Sequence, residues 1–271
     1  MEKFSVLLSV YSRERAEYMR EALRSVFQQT SPPDEVILVK DGPLNEELDA
    51  VVDEFSRHYP MFKVVPLPYN VGLGMALNEG LKHCSYELVA RMDTDDICVS
   101  NRFELQLNAF AQHSDASIIG GWIDEFSTDP TIIEGSRKLP LTPDQLAIFA
   151  KSKNPMNHMT VMFDKRAVID AEGYQPFYLL EDYWLWGRML SRGAKFYNIG
   201  QTLVLVRGGI SMTARRGGWK YAKSEIRLQR QFLRLGFIGY ITFVKNVTIR
   251  TTVRIMPNKL RTFVYKNFLR D

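Results

Sequence analysis

Only two cysteines, Cys84 and Cys98, occur in 271 residues. Neither belongs to a Cys-x-x-Cys pair, which excludes a disulfide scaffold and gives no zinc-site spacing. Reduced thiols of this kind fit a cytoplasmic protein, and both read as buried filler. Long hydrophobic runs are also missing. Phe4 to Tyr11 is short, meets the charged stretch Arg13 to Arg15, and reads as a strand rather than a secretory signal. Phe237 to Val244 is stopped by Lys245, well short of the ~20 apolar residues that cross a bilayer. Low-complexity linkers and internal repeats are absent. Acidic residues thin out at one end. From Arg207 onward there are 15 basic and 2 acidic residues, a net of +13, against 20 basic and 29 acidic before it, a net of −9. That polarity points to an anionic partner for the C-terminal part.

What remains is ordinary globular material, 45% hydrophobic and 24% charged. From Ser5 onward short β-branched runs alternate with segments whose apolar residues recur every three to four positions. The runs Ser5 to Tyr11, Glu35 to Lys40, Lys63 to Leu67 and Glu87 to Met92 read as strands. Helices are expected between them, through Tyr18 to Phe27, through Leu48 to Phe55, and from Gly72 to about Cys84. This rhythm predicts a parallel sheet covered on both faces. Beyond Asn101 the pattern predicts a helix over Arg102 to Gln112 and a strand near Ser117 to Trp122. It also predicts a capped helix at Thr142-Pro143-Asp144-Gln145, a strand over His158 to Phe163, and a Trp-rich helix from Glu181 to before Gly193.

Open parallel sheets bind ligands at the carboxyl ends of their strands. The first strand delivers Ser9, Tyr11 and Arg13 there, the second Asp41-Gly42, and the fourth Asp93-Thr94-Asp95-Asp96. Three aspartates in four residues repel one another unless a cation or hydrogen-bond donors offset them. Such a cluster is either a divalent-metal site that neutralises a diphosphate or a solvated acidic loop before the helix at Arg102. Its place at a strand end, with Asp41 at another, favours metal and nucleotide. A dehydrogenase fingerprint is missing, because Tyr11-Ser12-Arg13-Glu14 follows the first strand where glycines are required. A Walker loop is missing too, since Gly72-Leu73-Gly74 lacks the Lys-Ser/Thr that must follow it.

A resemblance emerges from these same residues. Ser5 to Tyr11, Ser25-Val26-Phe27-Gln28-Gln29-Thr30 and Glu35 to Gly42 resemble the opening of family 2 glycosyltransferases. Asn70-Val71-Gly72-Leu73, Ala76-Leu77-Asn78-Glu79-Gly80 and Ala90 to Asp96 continue the likeness in order, and it extends from residue 4 to about 216. The resemblance implies a GT-A fold, α/β in class, with a Rossmann-like, mostly parallel central sheet flanked by helices and a basic helical C-terminal extension. Residues 1–100 then form the nucleotide-sugar-binding half, 101–215 the acceptor-binding half, and 216–271 the extension.

Carried over residue by residue, the likeness places Ser9, Tyr11 and Arg13 in the donor pocket, with Tyr11 on the pyrimidine and Asp41 accepting from the uracil imide. Asn70, Gly72, Arg91 and Thr94 join that pocket. Lys40 stands where the family more usually has an acidic residue. Asp93 and Asp95 match the Asp-x-Asp pair, and Asp95, then Asp93 and Asp96, are the candidate ligands for Mn²⁺ or Mg²⁺. Arg215, in the loop Arg207 to Arg216, is the candidate to close over the diphosphate; the alternative is that these arginines only solvate the surface. Glu181-Asp182 resembles the family's Glu-Asp motif, with Asp182 as catalytic base; without the upstream motifs it reads as the usual acidic preference of a first helical turn. His158 is either an acceptor contact, a metal ligand or a satisfied structural group. No Gln-x-x-Arg-Trp motif is present, which argues against a processive polymerase.

The expectation is thus an inverting, metal-dependent enzyme that moves one sugar, hexosyl or N-acetylhexosaminyl in kind, from a nucleotide sugar, UDP-linked by preference, to a hydroxyl of a lipid-linked saccharide in bacterial surface-polysaccharide synthesis. Lys245, Arg250, Arg254, Lys259, Arg261, Lys266 and Arg270 are interleaved with apolar residues, a pattern that fits interfacial helices on anionic lipid at the inner face of the cytoplasmic membrane. The alternative is a helical subdomain packed on the core or on a second subunit of a homodimer. A nucleic-acid-binding module is the rival class, but no base-reading motif accompanies the positive charge.

Overall fold

The computed structural model describes residues 2–208 and 218–256, so Arg215, Lys259, Arg261, Lys266 and Arg270 lie outside the described residues. Strands β1 (Phe4–Val10), β2 (Glu35–Lys40), β3 (Phe62–Pro66) and β4 (Leu88–Arg91) alternate with helices α1 (Ala16–Phe27), α2 (Glu46–His58) and α3 (Leu73–His83), as the periodicity predicts. They pair in parallel in the order β3-β2-β1-β4. All of β1 except Ser9 is buried, as a near-continuous apolar strand covered on both faces requires. Met19, Leu23 and Val26 of α1 and Leu48, Val51 and Phe55 of α2 cover one face. Ala76, Leu77 and Leu81 of α3 cover the other.

The second half comprises β5 (Ile97–Cys98), α4 (Arg102–Gln112), β6 (Ala116–Phe126), β7 (Gly135–Arg137), α5 (Pro143–Ala150), β8 (Met162–Asp164), α6 (Lys165–Asp170), α7 (Glu181–Ser191) and β9 (Lys195–Arg207). Antiparallel β8 joins β4 to β6, and β6 pairs in parallel with β9, so one continuous sheet carries both halves.

Three local expectations are corrected here. The expected strand from His158 begins only at Met162; His158–Thr160 is a 3₁₀ turn. Its cause is local, because Thr160 Oγ1 donates to Asn157 O at 2.8 Å and accepts from Gly121 N at 3.1 Å, offering the chain a turn in place of a ladder. Thr142 precedes α5 without a side-chain cap, the helix starting instead on Pro143. Strand β9 escaped the sequence reading altogether. Gly200-Gln201 interrupts its alternation, and the β6–β9 register shifts at Gly121/Trp122 and Trp122/Ile123.

Two further helices, α8 (Trp219–Arg234) and α9 (Tyr240–Ile255), pack against α7. Tyr183 and Trp184 of α7 cluster with Tyr221, Leu228 and Phe232 of α8. Two of the basic residues expected to face lipid turn inward, since Arg250 and Arg254 both pair with Glu225, which is 1% exposed. No helix among the described residues is long and apolar enough to cross a membrane.

Close approach of α7 to α8 depends on Gly187. A Cβ at that position would collide with the ring of fully buried Phe232. Gly187→Ala should therefore lower stability by about 1–3 kcal/mol through overpacking. A shift of the denaturant midpoint at constant slope checks this.

Candidate active site

The carboxyl ends of β1, β2 and β4 meet in one crevice, the switch point of a parallel sheet with this strand order. At the β1 end Ser9 is half-buried, while Tyr11 and Arg13 are exposed. At the β2 end Asp41 is buried and its carboxylate holds the next loop in place. Oδ1 accepts from Val71 N at 2.6 Å, and Oδ2 accepts from Gly72 N at 3.1 Å and Asn70 Nδ2 at 3.0 Å. Gly42 follows at φ 89°, where an added Cβ would lie 2.8 Å from Asn70 N. Thus Asp41, Asn70 and Gly72 are one unit, in which a carboxylate organises a backbone loop leading into α3.

Asp41→Ala removes both carboxylate oxygens and with them three hydrogen bonds, leaving Val71 N and Gly72 N without this acceptor. UDP binding should weaken by roughly 1–3 kcal/mol. Unchanged UDP affinity by calorimetry would show that the loop does not hold the nucleotide.

At the β4 end Asp93, Asp95 and Asp96 bring one oxygen each to within 4.8 Å of one another. Buried Arg91 forms a bidentate pair with Asp93. Asp96 accepts from Arg207 N at 2.8 Å, and Arg207 Nε donates to Asp95 O at 3.1 Å. The guanidinium of Arg207 stacks 4.0 Å from the Tyr18 ring centroid and 4.6 Å from that of Phe126. The end of β9 thereby fixes the acidic loop. Thr94 lies beneath it, its hydroxyl 3.4 Å from Ser9 O.

Charge in this loop is not fully offset. Burial, then Asp93 and Glu14, push Asp95 up to about 7. Burial, then Asp95 and Asp93, push Asp96 well above the usual carboxylate range. A cluster of hard oxygen donors with this excess negative charge fits a divalent cation.

The second group of carboxylates stands at the start of α7. Asp182 Oδ2 accepts from Asn154 Nδ2 at 2.6 Å, and Oδ1 accepts from Tyr183 N at 2.6 Å. Neighbouring Glu181 is pushed up to about 7 by burial and by Asp182. Glu181 also feels Arg91 and Asp93 of the acidic loop. A Cβ on Gly74, in the first turn of α3, would lie 3.3 Å from the Glu181 side chain. The starts of α3 and α7 therefore pack together, with the acidic loop within electrostatic reach of both.

His158 is not part of the carboxylate cluster. It is buried, its Nε2 is 2.8 Å from Tyr174 Oη, and burial with Arg91 nearby holds it well below the ordinary histidine range. Two residues of the site escaped the sequence reading. Asn154, which orients Asp182, lies in a loop 28 positions upstream with no periodic signal. Glu14, whose charge helps raise Asp95, read only as a break in a glycine fingerprint.

Residues 5–171 match the Glycosyl transferase family 2 profile. The chain is 43% identical to the amylovoran biosynthesis glycosyltransferase AmsE of Erwinia amylovora over 97% of its own length and 98% of that protein. It is 39% identical to the Escherichia coli UDP-Gal:alpha-D-GlcNAc-diphosphoundecaprenol beta-1,3-galactosyltransferase, covering 99% of this chain and 97% of that one. Among solved structures, Staphylococcus aureus TarS 1–349 with UDP-GlcNAc superposes with a TM-score of 0.68 at 16% identity, over 98% of this chain and 76% of that chain.

Proposed function

The chain belongs to glycosyl transferase family 2, and from that premise we propose that it transfers one sugar from a UDP-sugar to a hydroxyl of a lipid-linked saccharide, with inversion, in polysaccharide biosynthesis. The observation that carries this reading is that the acidic loop at β4 stands near enough to the start of α7 for Arg91 and Asp93, themselves paired, to act electrostatically on Glu181. One end can hold a diphosphate and the other can take a proton. N-acetylglucosamine joined to a lipid through a diphosphate is the acceptor named for the similar galactosyltransferase, and the same class of acceptor suits this chain.

Each role follows from a side chain's surroundings. Asp182 is held by two donors at the N-terminal turn of α7, where the helix favours the ionised carboxylate. It takes the proton of the acceptor hydroxyl as that oxygen attacks the anomeric carbon. A single in-line displacement needs no second carboxylate as nucleophile, which leaves Glu181 to shape the pocket. Asp95 and Asp96, with Asp93 fixed by Arg91, would hold Mn²⁺ or Mg²⁺, which supplies charge stabilisation to the departing diphosphate. Asp41 holds the Asn70–Gly72 loop against the nucleotide, and exposed Tyr11 offers its ring to the base. The family assignment and this site leave the nucleic-acid reading without support.

Incubating the protein with Mn²⁺ and a panel of nucleotide sugars, and following release of free nucleotide, tests the donor and metal together. UDP should be released from one UDP-sugar and release should stop with chelator. Release unaffected by chelator would contradict the metal assignment, and no release from any UDP-sugar would contradict the donor.

A further inference from the structure

Asp182 lines a cavity of about 450 Å³ that also reaches β6, β7, the segment after α5, and helices α8 and α9. Its lining carries six cations, Arg137, Lys138, Lys153, Lys245, Arg250 and Arg254, against the three carboxylates Glu125, Asp182 and Glu225. Glu225 is matched by Arg250 and Arg254. Arg137 donates to Asn157 Oδ1 at 2.7 Å and to Asn154 O at 2.8 Å. Lys138 and Lys245 are exposed side chains of the same lining.

A neutral sugar hydroxyl does not require such surroundings. Cations near a general base lower its proton affinity and so weaken it. An excess of positive charge around Asp182 is useful only where the ligand itself brings negative charge. The apolar part of the lining adds direction. Ile241, Lys245 and Ile249 are spaced four apart on α9 and share a face. Ile249 and Lys245 line the cavity, and Ile241 is 85% exposed. An apolar and cationic stripe thus runs from the cavity to the outer surface of α9.

We propose that this cavity binds the diphosphate through which the acceptor sugar is joined to its lipid, with Lys138 and Lys245 as its accessible cations and the Ile249–Ile241 stripe taking the first part of the chain. This rests on the reading of the acceptor as a lipid-linked saccharide. The sugar then lies between the diphosphate and Asp182, so the cations act on binding while Asp182 acts on the hydroxyl.

Calorimetry on the full chain saturated with UDP and Mn²⁺ tests this with three probes. They are undecyl N-acetylglucosaminyl diphosphate, undecyl N-acetylglucosaminide, and inorganic pyrophosphate. The first should bind at least tenfold more tightly than either of the others. The double variant Lys138→Ala/Lys245→Ala, altered only at exposed positions, should lose about tenfold for the first probe and bind the neutral glycoside as the wild type does. Equal affinity for the two undecyl probes, or no loss in the double variant, overturns the inference while leaving the transfer reading intact. Pyrophosphate bound as tightly as the first probe overturns it in favour of a free-phosphate site. Binding of none of the three to a protein that still binds UDP overturns it together with the lipid-linked acceptor.

Discussion

Asp182→Asn should reduce sugar transfer by about a hundredfold or more while UDP and metal affinities stay near wild type. The substitution keeps the shape of the side chain but only one of its oxygens, so one of the two bonds from Asn154 Nδ2 and Tyr183 N survives and the other meets an amide NH2. The proton acceptor is lost together with that one bond, and chemistry is the step expected to fail. Glu181→Gln is the internal control. Glu181 has no assigned step in a single displacement, so replacing its carboxyl by an amide should reduce transfer less. Transfer by Asp182→Asn at the wild-type rate would remove it from the chemistry, and a parallel loss of UDP affinity would make it a donor-site residue.

Asp95→Asn should act in two opposite directions. Replacing this candidate charged ligand by a neutral amide should weaken metal binding and reduce UDP release and transfer by about a hundredfold or more. Stability of the metal-free protein should nevertheless rise. A carboxylate held at about 7 in the folded chain, against about 4 when unfolded, binds more protons folded than unfolded between those pH values. Stability therefore falls as pH rises through that window. The metal-free variant should melt above the metal-free wild type at pH 7.5 and close to it at pH 4. Added Mn²⁺ should raise the melting temperature of the wild type more than that of the variant. A variant less stable than wild type at pH 7.5 without metal would show that Asp95 is a structural carboxylate.

Legibility of the sequence followed the regularity of its periods. The β1 to β4 half could be read because each strand is a mostly apolar, β-branched run and each helix repeats its apolar face. The second half was harder for identifiable reasons. Gly200-Gln201 and the bulged β6–β9 register hid a 13-residue strand, and Thr160 turned an expected strand into a 3₁₀ turn. The acidic loop was visible because three aspartates in four residues are conspicuous whatever surrounds them. Its fixation by Arg207 was not, since the hidden β9 is what carries Arg207 to Asp95 and Asp96. Asp41 was readable as a site residue, but its bonds to Val71 and Gly72 are made across about thirty positions of chain and leave no sequence pattern. Asn154 reaches Asp182 in the same way.

The configuration of the new glycosidic bond tests the central claim most directly. The full chain, with Mn²⁺, the UDP-sugar that it accepts and undecyl N-acetylglucosaminyl diphosphate, should yield a disaccharide whose anomeric proton coupling can be read by NMR. Displacement in one step with Asp182 as base predicts the anomeric configuration opposite to that of the donor. A product that retains the donor's configuration would contradict it, because retention requires a different course of reaction at the anomeric carbon.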